Sequence, residues 1–140
     1  MGYTGRCLCG AVTLRIDGDA VGAAQCWCRQ CQISAGGGPA NNAIFMTDVV
    51  RIEGQLATTG WQAASGTHPT LDFCPACGTH VCGRSPSGPG MMAVRIGVID
   101  QPHDLVPQMA IWIEEAPAWA VIDPALPRMT RQTPDPEDKQ

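Results

Sequence analysis

Apolar residues fall at every second position through Ala11-Val12-Thr13-Leu14-Arg15-Ile16, so that Val12, Leu14 and Ile16 share one side of the chain. A period of two marks a half-buried strand, and Asp17-Gly18-Asp19 reads as the turn that ends it. Two short apolar runs follow, residues 43–46 and 49–52, parted by Thr47-Asp48 and closed by Gly54. They predict two strands that pair with each other in antiparallel fashion. Residues 58–69 turn to Gly, Ser, Thr, Gln and Ala around Trp61, which reads as a loop or weak edge strand with Trp61 as an anchor. Residues 79–83 predict a strand that carries His80 and Cys82. Residues 91–99 predict a buried strand with Gly97 marking a bulge, and residues 109–113 a last strand, with Trp119 packed back on the sheet.

Only residues 29–35 read as helical, and Gly36-Gly37-Gly38-Pro39 stops that turn. The expected fold class is therefore mainly β: short antiparallel strands joined by turns, with little helix. Sixteen Gly and twelve Pro in 140 residues agree with short segments. One domain is expected over 1–128, followed by a Pro-rich acidic tail, 129–140, that is expected to be poorly ordered. The run Arg84-Ser85-Pro86-Ser87-Gly88-Pro89-Gly90 has the composition of a mobile loop or lid.

Charge removes some function classes. The formal net charge is -4, and of the nine basic residues eight are Arg and one is Lys139, scattered along the chain. A nucleic-acid surface needs clustered cations, so none is expected. No run approaches membrane-spanning length, and Met1 to Arg6 has no apolar signal-peptide core. The expected location is cytoplasmic. Oligomeric state is not readable from the chain.

That location changes the meaning of eight cysteines. In a reducing compartment, closely spaced thiols serve metals or catalysis rather than bridges. Seven lie in three clusters: Cys7-Leu8-Cys9, Cys26-Trp27-Cys28-Arg29-Gln30-Cys31 and Cys74-Pro75-Ala76-Cys77. All-sulfur ligation with CxxC spacing suits zinc, four thiolates closing a tetrahedral site and three leaving a position open. Cys7, Cys9, Cys74 and Cys77 fit a closed, structural set, which leaves Cys26, Cys28 and Cys31 as the open one. The alternative partition joins Cys28 and Cys31 to Cys74 and Cys77 as a ribbon. A fourth ligand for the trio could be water, a substrate thiol, His80 or Cys82. Cys82, at alternating spacing in a strand, reads by itself as a small buried hydrophobe.

The same three clusters, taken as Cys7-x-Cys9-Gly10-x-Val12, Cys26-x-Cys28-x-x-Cys31 and Phe73-Cys74-x-x-Cys77-Gly78-Thr79, resemble the glutathione-dependent formaldehyde-activating family, also called centromere-protein-V-like. Met92 to Gly97, Trp112, Trp119 and Leu126-Pro127 are similar to its C-terminal half. The family's Cys-His-Cys reads Cys-Trp-Cys here, with Trp27 in the middle. The resemblance implies an Mss4-like zinc-binding β fold, a structural zinc on Cys7, Cys9, Cys74 and Cys77, and a second, labile zinc on Cys26, Cys28 and Cys31. It implies a carbon–sulfur lyase acting on the adduct of glutathione and formaldehyde.

On that reading a thiol sulfur, activated at the trio, attacks an aldehyde; Arg29 meets a substrate carboxylate, and backbone amides of Gly36 and Gly37 add hydrogen bonds. The partners are then a small-molecule thiol and an aldehyde. A non-catalytic zinc module that binds a protein partner is the competing class, and full in-chain coordination of both metals would favour it.

Overall fold

The structure is a computed structural model, described over residues 2–63, 66–85 and 88–131. The described residues form two compact units, one drawn from residues 2–21 and 43–105, the other from residues 22–42 and 106–131. Pro86 and Ser87 of the expected lid, and residues 132–140 of the expected tail, lie outside the described residues.

In the first unit, β1 (Gly2–Arg6), β2 (Thr13–Asp17) and β5 (Val50–Glu53) form an antiparallel sheet with β2 in the middle. The alternation seen in the sequence is the burial pattern: Leu14 and Ile16 on β2 are buried, with Val12 just before it, while Thr13, Arg15 and Asp17 face out. A second antiparallel run is ordered β6 (Ala57–Gly60), β7 (Thr70–Phe73), β8 (His80–Arg84) and β9 (Met91–Arg95). β6 is the edge strand allowed by its weak composition.

The core of this unit gathers Tyr3, Val12, Leu14, Ile16, Phe45, Val81, Met92 and Val94. The Tyr3 and Phe45 rings meet edge to face at 5.7 Å, a favoured aromatic geometry. The Tyr3 hydroxyl donates to Asp104 Oδ1 at 2.7 Å. Gly5 brings β1 so close to residues 96–98 that a Cβ there would strike the Val98 carbonyl oxygen.

The second unit holds β3 (Gly22–Cys26), which lies between the two-residue β10 (Ala110–Ile111) and β4 (Ala40–Met46). β9 is the other neighbour of β4. β10 runs parallel to β3, pairing Ala110 with Gln25 and Ile111 with Cys26. The one α-helix among the described residues, α1 (Arg29–Ser34), follows β3 directly. Residues 127–131 lie beside β10, parallel to it at Ala110 and Arg128, and beside the 3-10 turn after it: Ala110, Trp112, Ile113 and Glu114 donate backbone N–H groups to the carbonyls of Pro127, Arg131, Met129 and Thr130.

Several strand expectations change. Residues 43–46 and 49–52 do form strands, but β4 and β5 are not neighbours. A 3-10 turn at Thr47–Val49 separates them, and β5 pairs with β2 instead. The run 91–99 is strand only to Arg95, and Gly97 lies in a 3-10 turn, Ile96–Val98, rather than a bulge. The last strand stops at Ile111 because Trp112 adopts a left-handed conformation, φ 56°, which few non-Gly residues enter. Trp119 is 69% exposed and does not pack on a sheet.

Candidate metal centres

Cys7 leaves β1 and Cys74 leaves β7, each buried at 1% exposure. Gly10 and Gly78 follow their cysteine pairs with φ of 80° and 78°, the left-handed turn that lets backbone fold around a metal. The sulfurs of Cys7, Cys9, Cys74 and Cys77 lie within 4.8 Å of one another. Cys7 Sγ is 3.6 Å from Cys9 Sγ, and Cys9 Sγ is 3.8 Å from Cys74 Sγ. Tetrahedral zinc with bonds of about 2.3 Å sets its sulfurs about 3.8 Å apart. The donors therefore have the spacing that zinc requires, and all eight cysteines are free thiols. This partition, and not the ribbon that pairs Cys28 and Cys31 with Cys74 and Cys77, is the one the fold brings together.

Polar neighbours favour a thiolate at Cys77. The Thr79 side chain lies 3.1 Å from Cys77 Sγ, while its Oγ1 accepts the Leu8 N–H at 3.1 Å. The Thr79 hydroxyl, then the Thr79 and Cys9 backbone N–H groups, draw the Cys77 pKa down to about 5. Hydrogen bonds to the charged form are what lower a thiol pKa.

Cys26, Cys28 and Cys31 form the second group, their sulfurs also within 4.8 Å of one another, all in the second unit. Among the described residues of that unit no fourth His, Cys, Asp or Glu donor joins them. Cys26 ends β3, and Cys28 is the N-cap of α1, its sulfur accepting the Cys31 N–H at 3.4 Å. Hydrogen bonds from the Cys26 and Cys31 thiols, with backbone N–H groups of Cys31 and Gln30, hold the Cys28 pKa down to about 3 against the opposing effect of burial. Cys26 moves the other way, raised by the same thiol contacts and by burial. Both groups could hold a zinc ion.

Around the trio the sequence proves partly readable. Trp27 is buried, donating Nε1–H to Gln25 Oε1 at 3.1 Å, so the residue that stands in place of the family's His is a packing residue. Arg29 is exposed and gives Nη1–H to Gln32 Oε1 at 3.0 Å. Gly36 and Gly37 have φ of 79° and 102°, with nothing within 4 Å of where a Cβ would stand. His80 and Cys82 both lie on β8 in the first unit. Cys82 is fully buried beside Asp72 Oδ2 at 3.6 Å, and burial first, then the Asp72 charge, pushes its thiol up to about 12. It behaves as the small buried hydrophobe its spacing suggested.

Sequence reasoning missed Gln32, Glu115 and Trp112. Trp112 packs against Cys26, Cys31 and Ala40, and the Arg131 guanidinium lies 5.9 Å from its ring centre.

A mainly β protein with two thiolate clusters on knuckles is the class that fold and donors define. The chain belongs to the family of the glutathione-dependent formaldehyde-activating enzyme, whose model it matches over residues 2–115. A solved structure of a Rhodobacter sphaeroides protein is similar to it at 23% identity and a TM-score of 0.56, over 71% of this chain and 90% of that one. That likeness speaks to the fold alone. No curated protein matches. Among the described residues no helix is long and apolar enough to cross a membrane.

Proposed function

We propose that this chain is a carbon–sulfur lyase of the glutathione-dependent formaldehyde-activating type, joining and parting a thiol and a small aldehyde. In this reading Cys7, Cys9, Cys74 and Cys77 hold a structural zinc, and Cys26, Cys28 and Cys31 hold a second, labile one in a cytoplasmic enzyme. The observation that carries it is the unequal donor count. Four sulfurs complete a tetrahedron, whereas three leave one position for an exchangeable thiol.

When bound to the trio, zinc would supply Lewis acidity and lower the pKa of a substrate thiol to near neutrality. The chain's own groups do the rest. The hydrogen bonds that lower the Cys28 pKa favour its thiolate, the form a zinc ligand takes. Arg29 spends one N–H on Gln32 and keeps the others for a substrate carboxylate. The open backbone at Gly36 and Gly37 leaves room for a peptide-like thiol to approach. In the forward direction the thiolate sulfur bonds to the aldehyde carbon, the carbonyl π pair moves to oxygen, and the proton lost from sulfur ends on that oxygen. The reverse step breaks the same C–S bond.

Native mass spectrometry of the wild type and of Cys28→Ser, each with and without glutathione, tests this reading, alongside NMR line-broadening of the glutathione–formaldehyde equilibrium. Two zincs per chain, one lost in the variant, with faster exchange only in the wild type, is the expected result. One zinc indifferent to variant and thiol would overturn it in favour of a binding module.

A further inference from the structure

Gln32 occupies an unexpected position for a polar side chain. It lies on α1 at 3% exposure, one residue beyond the last sulfur of the trio. A buried amide is costly unless its donors and acceptor are met, and an apolar residue would serve the helix with less risk. Here every contact goes to the knuckle or its surroundings. Nε2 donates to the Trp27 carbonyl at 2.6 Å and to the Glu115 carbonyl at 2.8 Å. Oε1 accepts from Arg29 Nη1 at 3.0 Å.

Trp27 stands between the first two sulfurs of the trio, and Arg29 between the second and third. One side chain therefore holds both intervals of the Cys-x-Cys-x-x-Cys turn. Glu115 adds a second bond at Arg29: its Oε2 accepts the Arg29 backbone N–H at 2.6 Å while its carbonyl holds Gln32. The turn is fixed to a segment more than eighty residues away by groups that are not themselves metal ligands.

We infer that Gln32, anchored on Glu115, is the positioning residue of the trio, presetting the three sulfurs for metal before any metal arrives. The inference rests on reading the trio as a metal site. Its physical basis is preorganisation: a turn already held in the binding geometry does not have to be ordered when the ion binds. Outer partners of this kind change metal affinity by roughly 10- to 100-fold when removed.

The test is a cobalt(II) titration of the metal-stripped full chain, following thiolate-to-cobalt charge transfer and the d–d bands that report tetrahedral sulfur coordination. Wild type is expected to take two equivalents. Gln32→Leu is expected to bind the first as wild type does and the second about 10- to 100-fold more weakly, with altered d–d bands. Glu115→Ala removes the carboxylate that accepts the Arg29 N–H but leaves its carbonyl on Gln32, so it is expected to weaken the second equivalent less; Gln32→Met, which keeps the side-chain length and loses the amide's bonds, decides the matter should Gln32→Leu fail to fold. Wild-type affinity and spectra for the second equivalent in the folded variants would overturn the inference and leave the trio standing as a metal site. A wild type that takes a single cobalt would overturn the metal reading of the trio, and the inference with it.

Discussion

Cys74 and Cys82 are both buried thiols of the first unit, at 1% and 0% exposure, and replacing each with alanine removes the same atoms. The proposed structural zinc makes the outcomes differ. Cys74 Sγ lies 3.8 Å from Cys9 Sγ across a sequence separation of 65. A cross-link that closes a loop of that length restricts the unfolded chain by about 4 kcal/mol in the chain-entropy relation. Cys77 alone would still tie the loop through a three-sulfur site, so Cys74 and Cys77 are replaced together by alanine to open the link, and the lost buried Cys74 sulfur adds about 1 kcal/mol. With a urea m-value of about 2 kcal/mol/M, the unfolding midpoint should fall by roughly 2.5 M. Cys82→Ala loses its sulfur and the contact with Asp72 but no link, so its loss should stay near 1–2 kcal/mol. Urea unfolding followed by circular dichroism, with zinc per chain from native mass spectrometry, separates the two. Equal midpoints for the Cys74→Ala/Cys77→Ala and Cys82→Ala proteins, or a double variant that keeps its full zinc content, would refute the staple.

Tyr3→Phe keeps the ring against Phe45 and removes the hydroxyl that donates to Asp104, which should cost about 1.5–3 kcal/mol at pH 8. The hydrogen bond to Asp104, then burial, raises the Tyr3 pKa from 10.0 to about 12; a raised phenol pKa stabilises the fold below pH 10 and loses that contribution as pH climbs to 12. Midpoints of the two proteins should therefore converge between those values, and a gap that widened would contradict the assignment. Gly54→Ala meets both a φ of 102° and the Ala11 carbonyl, so a loss on the order of 2–3 kcal/mol is expected, whereas Gly10→Ala, with open space at φ 80°, should cost less by the same melt. Ending the chain at Pro127 removes the carbonyls that take the N–H groups of Trp112, Ile113 and Glu114. Amide exchange at those three residues should rise well above that of Gln25 and Trp27, and unchanged protection would mean the removed segment holds nothing.

What could be read in the sequence was local. The period of two at Val12, Leu14 and Ile16 is a property of a few neighbouring residues, and the pleat reproduces it. The Gly after each of two cysteine pairs is equally local, and both adopt the left-handed turn. Partners are another matter. Nothing in residues 49–52 says that they pair with β2 rather than with the strand just before them; a three-residue 3-10 turn, Thr47–Val49, redirects the chain. An apolar run such as 91–99 looks the same whether its end is strand or 3-10 turn. Gln32 reads as an ordinary helix residue until Glu115, 83 positions later, arrives beside it.

The same distinction between local and distant explains why the two clusters suit different work. The four-sulfur group joins positions 65 apart, so a metal there is coupled to the folding of its whole unit. The trio comes from six consecutive residues, and closing a loop that short contributes only about half as much in the same relation. Its shape is instead maintained by β10 beside β3 and by the bonds of Gln32 and Glu115, none of which uses a sulfur. In the proposed reading, metal would enter or leave the trio at less structural cost, whereas its loss from the four-sulfur group would remove a long-range tie. A site whose ligand must exchange with substrate on every turnover needs the first property, and a site that holds a small, glycine-rich β unit together needs the second.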